Sequence, residues 1–205
     1  MAKKIFVLNG HPREASLSAT FAQTYADAAQ GEGHVVRVMN VGDLEFDPDF
    51  GQALYKEPKP LEPDLEQVLQ SIEWADHVVL TSPMWWGGLP AKLKGLIDRS
   101  FLPGRTFDTR SGKFPKPMLK GRTARVILTS DTPGWYFRLI YRSALHSQLK
   151  RQILGFIGLS PTRFTHFAQS SDPKPGAVAR WIDSVKSLGC LLYTSDAADE
   201  HRDVG

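Results

Sequence analysis

Three short stretches of this sequence concentrate side chains able to hold or transform a ligand. The first, Gly10-His11-Pro12-Arg13-Glu14-Ala15-Ser16-Leu17-Ser18, supplies two hydroxyls, an imidazole and a guanidinium between a β-branched run and a helical pattern. Free amides at a helix start, joined by serine hydroxyls, bind phosphate. The spacing is neither Gly-x4-Gly-Lys-Ser/Thr nor Gly-x-Gly-x-x-Gly, so ordinary nucleotide hydrolysis and the standard dinucleotide fingerprint lose support. Standing alone, Ser16 and Ser18 read equally as helix caps and His11 as a turn residue. The second stretch, Pro83-Met84-Trp85-Trp86-Gly87-Gly88-Leu89-Pro90, sets two adjacent indoles and two glycines after an apolar run. Glycine lets a flat ligand approach the backbone, and the indoles either cover such a ring or plug the end of a sheet. The third is Thr129-Ser130-Asp131-Thr132-Pro133-Gly134-Trp135-Tyr136, which again follows an apolar run.

The elements between these stretches give them their places. Residues 3–8, 34–41, 76–82, 122–130 and 161–167 read as buried strands. Helical patterns open near Ser16 or Ser18 and cover residues 64–74, 91–101, 136–156 and 177–188. The Pro-rich segment 43–63 and the Pro-, Gly- and Lys-rich segment 103–122 read as long loops. Strands alternating with helices predict an α/β fold, a doubly wound five-stranded parallel sheet of order 2-1-3-4-5 with helices on both faces. The ligand crevice of such a sheet lies at the carboxyl ends of the strands, where the winding reverses. The first two stretches sit there.

The chain has 205 residues, 41% of them apolar and 23% charged, with no apolar run of eighteen, which excludes a disordered chain and a membrane-spanning helix. Met1-Ala2-Lys3-Lys4 leads directly into the first strand without a secretory pattern, and Cys190 is the one cysteine, so a cytoplasmic protein is expected. The formal net charge is +3, with basic residues scattered rather than grouped, which argues against a nucleic-acid partner. His11, His34, His77, His146 and His166 show no paired ligand spacing, so no metal site is expected, and a Gly-x-Ser-x-Gly elbow is lacking. Residues 190–205 contain Cys-Leu-Leu-Tyr-Thr-Ser-Asp-Ala-Ala-Asp-Glu, which resembles a translated transposase adapter from a sequencing library. The expected division is therefore a folded domain over residues 1–189 and an adapter-derived or disordered tail over 190–205.

The residues resemble the flavodoxin-like NAD(P)H:quinone oxidoreductases, a family that includes DT-diaphorase and bacterial NADPH-quinone reductases. The likeness spans about residues 4–189. It is carried by the first stretch, by Gly155-Phe156-x-Gly158, and by Pro83-Met84-Trp85-Trp86-Gly87-x-x-Pro90-Ala91-x-Leu93-Lys94-Gly95-x-x-Asp98-Arg99. The resemblance implies that His11, Ser16, Leu17 and Ser18 hold the phosphate side of a flavin, that Met84, Trp85, Trp86 and Gly87 border its ring system, and that Thr129 and Gly134 complete the cofactor loop. That loop reads Thr-x-Gly-Gly in the family, and Asp-Thr-Pro interrupts it here. Tyr136 would stand as the active-site tyrosine, whereas the family's histidine six residues on is Arg142 in this chain.

The implied reaction is a ping-pong, two-electron hydride transfer from NADPH or NADH through the flavin to a quinone-like acceptor, in a homodimer. FMN is the expected flavin because the sequence ends soon after the fifth βα unit, with FAD as the alternative. The long loop containing Arg105, Phe107 and Lys113 would cover the acceptor site, bind the second subunit or serve as a solvated connector. Two other functions fit the same motifs. One is a flavodoxin-type electron carrier, disfavoured because such carriers are acidic. The other is a soluble regulatory subunit of a membrane transporter, docking through Phe50, Tyr55 and the prolines of 58–63.

Overall fold

The computed structural model describes residues 1–51, 57–109, 114–191 and 203–204; Tyr55, Lys113 and most of the tail lie outside the described residues. The chain folds as β1 (Lys4–Asn9), α1 (Leu17–Gly31), β2 (Val35–Asn40), α2 (Pro63–Trp74), β3 (His77–Pro83) and α3 (Ala91–Ser100). There follow the two-residue strands β4 (Phe107–Asp108) and β5 (Lys116–Pro117), then β6 (Arg122–Ser130), α4 (Gly134–Leu139), α5 (Ala144–Ser147), a π-helical turn (Gln148–Ile153) and α6 (Leu154–Ile157). β7 (Leu159–Ala168), α7 (Ala177–Cys190) and β8 (Asp203–Val204) complete the order.

The main sheet runs β2-β1-β3-β6-β7-β8, every pairing parallel, so the five expected strands stand in the order 2-1-3-4-5 and β8 adds a short edge beyond β7. Burial follows position in the sheet: β3 is buried along its whole length, while edge strand β2 exposes Val35 and Val38. Helices α1 and α7 cover one face, where Phe21, Tyr25, Phe167, Trp181 and Val185 pack together. Leu65, Leu93, Leu96, Leu149 and Leu154 close the other. Amphipathic helices on both faces of a parallel sheet bury its near-continuous apolar strands, which is the main source of stability here.

One expected element is corrected. The helical pattern over 136–156 is broken, with Arg142 and Ser143 in the left-handed region and a π turn further on. Leu149 and Leu154, both buried, are five residues apart, one more than an α-helix places on one face. The wider π turn returns both to the sheet.

The long loops are anchored rather than loose. Gly95 lies so close to Pro48 that a Cβ there would stand 2.4 Å from the proline Cβ, which lets segment 43–51 cross α3. Arg105 pairs with Glu73 at 2.7 Å and with Glu66 at 3.2 Å, and Phe107 packs edge-on to Phe156. Glu66 lies in the first turn of α2 and Glu73 in the last, so Arg105 ties the connector along that helix.

At the amino end of β3 a buried imidazole joins two elements. His77 Nδ1 lies 2.6 Å from Thr123 Oγ1, and Nε2 lies 3.3 Å from the Tyr25 hydroxyl. Burial, reinforced by Arg125, Arg163 and His34, pushes its pKa from 6.5 down to about 3. The unfolded chain thus takes up a proton below pH 6.5 that the native chain refuses. Stability should fall as pH drops from 6.5 toward 3, by up to about 2 kcal/mol between pH 6.5 and about 5. Denaturant melts at several pH values check this; His77→Gln should flatten the slope in that window, above the range where carboxylates titrate.

Candidate active site

The crevice is built by the loops that follow β1, β3, β6 and β7. The first is pinned at its root: Gly10 N–H donates to Thr81 O at 2.7 Å, His11 N–H to Asn9 Oδ1 at 3.1 Å, and Thr81 Oγ1 to Ser18 O at 2.9 Å. Its two serines, equivalent in sequence, part roles. Ser16 is the N-cap of α1 and accepts from Ala19 N–H at 3.1 Å. Ser18 is 2% exposed and its Oγ has no hydrogen-bond partner among the described residues. A buried hydroxyl left unpaired costs about 1–3 kcal/mol, so it marks a place where a partner is missing from the protein itself.

Ser18 lines a cavity of about 170 Å³ together with His11, Leu17, Met84, Trp85 and Thr129. Ser130, Asp131, Ser170 and Ser171, from the loops after β6 and β7, form its other side. The lining is rich in hydroxyls and lies at the start of α1, whose first N–H groups point out of the helix. His11 Nδ1 accepts from Arg13 N–H at 2.9 Å, which leaves Nε2 as the protonated nitrogen, and burial lowers its pKa. The ring stands edge-on to Trp85 at 5.4 Å. Behind the cavity the imidazole of His166 reaches Ser130 Oγ at 2.8 Å and orients that hydroxyl.

A second cavity of about 570 Å³ adjoins the first at Met84, which lines both. Trp86, Gly87, Thr132, Phe137, Tyr141 and Leu145 form its walls, with no ionisable group but the Tyr141 phenol. Met84 N–H donates to Thr129 O at 2.7 Å, which ties the carboxyl ends of β3 and β6 together. Trp85 and Gly88 exchange both backbone hydrogen bonds, at 3.0 and 2.9 Å, closing a two-residue turn. Its central residues, Trp86 and Gly87, have φ of 51° and 75°. This is the type I′ pattern that favours Asn-Gly, and a tryptophan there is strained. The strain holds the Trp86 indole out into solvent at the mouth of the apolar cavity. Trp86→Asn should raise stability by about 0.5–1 kcal/mol, which thermal melts check.

Of the sequence candidates, His11, Leu17, Ser18, Met84, Trp85 and Thr129 meet in the polar cavity, and Met84, Trp86 and Gly87 in the apolar one. Ser16 caps α1 and is not among the lining residues of either cavity. Gly134 opens α4, and Tyr136 packs edge-on to Trp135 and Tyr141, so neither lines these cavities. Sequence reasoning missed Asp131, Ser170, Ser171, Phe137 and Tyr141. The spacing of Phe137, Tyr141 and Leu145 was a readable signal of one apolar face, and the pairing of residue 131 with 171 was not.

The model of the family described as Flavodoxin-like fold matches residues 3–188. The chain belongs to that family. Flavodoxin-like relatives include the ribosyldihydronicotinamide dehydrogenase [quinone] of Pongo abelii, 24% identical over 91% of this chain and 92% of that protein. FMN-dependent NADH:quinone oxidoreductase 1 of Bradyrhizobium diazoefficiens is 33% identical over 54% of this chain and 53% of its own. The matched stretch spans about half the length of this relative and of another at 30% identity. Among solved structures, Smu.1420 from Streptococcus mutans UA159 superposes with a TM-score of 0.76 at 25% identity, covering 91% of this chain and 98% of that one.

Proposed function

We propose that this flavodoxin-like chain is an FMN-dependent NAD(P)H:quinone oxidoreductase. The observation that carries the reading is the buried Ser18 hydroxyl, without a partner among the described residues, beside a hydroxyl-rich cavity that adjoins, at Met84, a larger one walled by aromatic side chains. A phosphate on a polyol chain joined to a flat ring has that division of polarity. FMN, when bound, supplies the two-electron relay that couples oxidation of the nicotinamide to reduction of the quinone.

The chain's own residues do the rest. Ser18 Oγ and the first amides of α1 take the phosphate oxygens, His11 Nε2–H is a further donor at that end, and Thr129 and Ser130 offer hydroxyls toward the polyol. Met84 and the Trp85 to Gly88 turn hold the ring edge, and Gly87 leaves room for close approach. Trp86, Phe137 and Tyr141 line a space in which NAD(P)H and then the acceptor take turns. Sharing one space imposes the ping-pong order. Tyr141 carries a phenol at this wall, a better-placed proton donor than Tyr136.

Names borne by relatives support the reading, among them FMN-dependent NADH:quinone oxidoreductase and ribosyldihydronicotinamide dehydrogenase [quinone]. Initial rates with NADPH and menadione test it: parallel double-reciprocal lines are expected, and absence of NADPH oxidation by FMN-loaded protein would mark an electron carrier instead. A second copy of the chain is proposed to cover the exposed Trp86, Trp135, Leu139, Ile140 and Tyr141, a cluster large for a monomer surface. Sedimentation at twice the chain mass is the result expected. Among the described residues no helix is long and apolar enough to cross a membrane, and a cytoplasmic location is proposed for this chain with its single cysteine.

A further inference from the structure

We propose that a latch between Asp131 and Ser171 makes the site select a flavin mononucleotide over a flavin dinucleotide. The inference rests on the cofactor reading above and goes beyond it by naming the residues that set cofactor length. Asp131 stands where the resembled family places a glycine, and both of its carboxylate oxygens are engaged by one residue: Oδ1 accepts Ser171 N–H and Oδ2 accepts the Ser171 hydroxyl, each at 2.8 Å. Ser170 N–H adds a bond to Ser130 O at 3.0 Å. Gln169, with φ of 57°, turns the chain so that both serines face the loop after β6. Two loops separated by forty residues of sequence are thereby closed over one side of the polar cavity.

Position along the cavity gives this closure its meaning. Ser18, Thr129 and Ser130 are buried at the base, whereas Asp131 and Ser171 are exposed at the rim. The phosphate of FMN is satisfied at the base, by Ser18 and the amides of α1. A dinucleotide carries a second phosphate and a nucleoside that must leave the cavity across its rim. There the latch narrows the exit, and the rim's one carboxylate repels the second phosphate, with no lysine or arginine in the lining to offset it. His11, held toward its neutral form by burial, does not compensate. A third cavity of about 270 Å³, walled by Lys94, Asp98, Phe107 and Phe156, shares no lining residue with the first two.

The test is a pair of fluorescence-quenching titrations, FMN and FAD, on the flavin-depleted full chain and on Asp131→Asn and Ser171→Ala, with a thermal midpoint for each. Wild type is expected to bind FMN at least about tenfold more tightly than FAD. Asp131→Asn, which keeps one acceptor for Ser171 and loses the charge, should narrow that ratio about tenfold, chiefly by tightening FAD. Ser171→Ala should narrow it less, and it carries the test should the Asn variant fail to fold. Equal affinities in wild type, or a ratio unmoved in the folded variants, would overturn the proposal while leaving the FMN reading intact. Failure of folded wild type to bind either flavin would overturn both.

Discussion

Ser18→Ala should bind FMN roughly 10- to 100-fold more weakly than wild type, while its flavin-free fold is as stable as wild type or more so. A hydrogen bond to a charged phosphate contributes about 1.5–3 kcal/mol, and a buried hydroxyl with no partner costs about 1–3 kcal/mol in the flavin-free protein. Removing Oγ therefore relieves the empty chain and penalises the loaded one. Few surface or core serines behave so: a capping serine such as Ser16 would lose stability on the same change, by about 1 kcal/mol. The two variants make a matched pair. Fluorescence titration and thermal melts of both, with and without FMN, should show Ser18→Ala losing affinity and Ser16→Ala losing chiefly stability. Equal behaviour of the two would mean that Ser18 does not face the phosphate.

Arg99→Ala should destabilise the fold by about 3–5 kcal/mol, the largest stability effect expected of any single substitution considered. The Arg99 side chain is 1% exposed and ends in a set of acceptors supplied by one segment of chain. Nη2 donates to Pro60 O and Glu62 Oε2, both at 2.8 Å, and Nη1 donates to the carbonyl of Asp47 and to Glu62 Oε1. Burial would raise the Glu62 pKa, yet hydrogen bonds from Arg99 and nearby amides outweigh it and hold the carboxyl below its usual range. Truncation leaves two carbonyls and a carboxylate without their donor, and frees both ends of the 43–63 loop from α3. Lysine is a poor substitute, since one ammonium cannot reproduce the fork. Urea denaturation should show a lowered midpoint for Arg99→Lys and a much lower one for Arg99→Ala, with Glu62→Gln falling between.

The large-scale arrangement was legible because hydrophobic period and punctuation speak for it. β3 reads as a strand around Val78-Val79-Leu80 and proves buried throughout, and Asn9-Gly10 and Pro83 mark the strand ends where the crevice forms. The legible part of the site was the part encoded in contiguous residues, such as the helix start at residue 16 and the paired indoles. Local pattern gave no means of separating Ser16 from Ser18, because both fall within the first turn and only tertiary burial decides which one caps. Nor could it show that Trp86 sits at positive φ, since the expected residue for that turn position is asparagine. The break after α4 was hidden because apolar spacing through 137, 141 and 145 is helical, and a π turn restores the register lost further on. Arg99 reads as one more cation on an amphipathic helix until the loop that it clasps is in place.

The central claim is that FMN held across the two cavities takes electrons from NAD(P)H and passes them to a quinone. The most direct measurement is the absorbance spectrum of FMN-loaded protein under argon, followed through addition of one equivalent of NADPH and then of menadione. The flavin bands should bleach on the first addition and return on the second. Bands that persist after NADPH, in folded protein with FMN bound, would contradict the account.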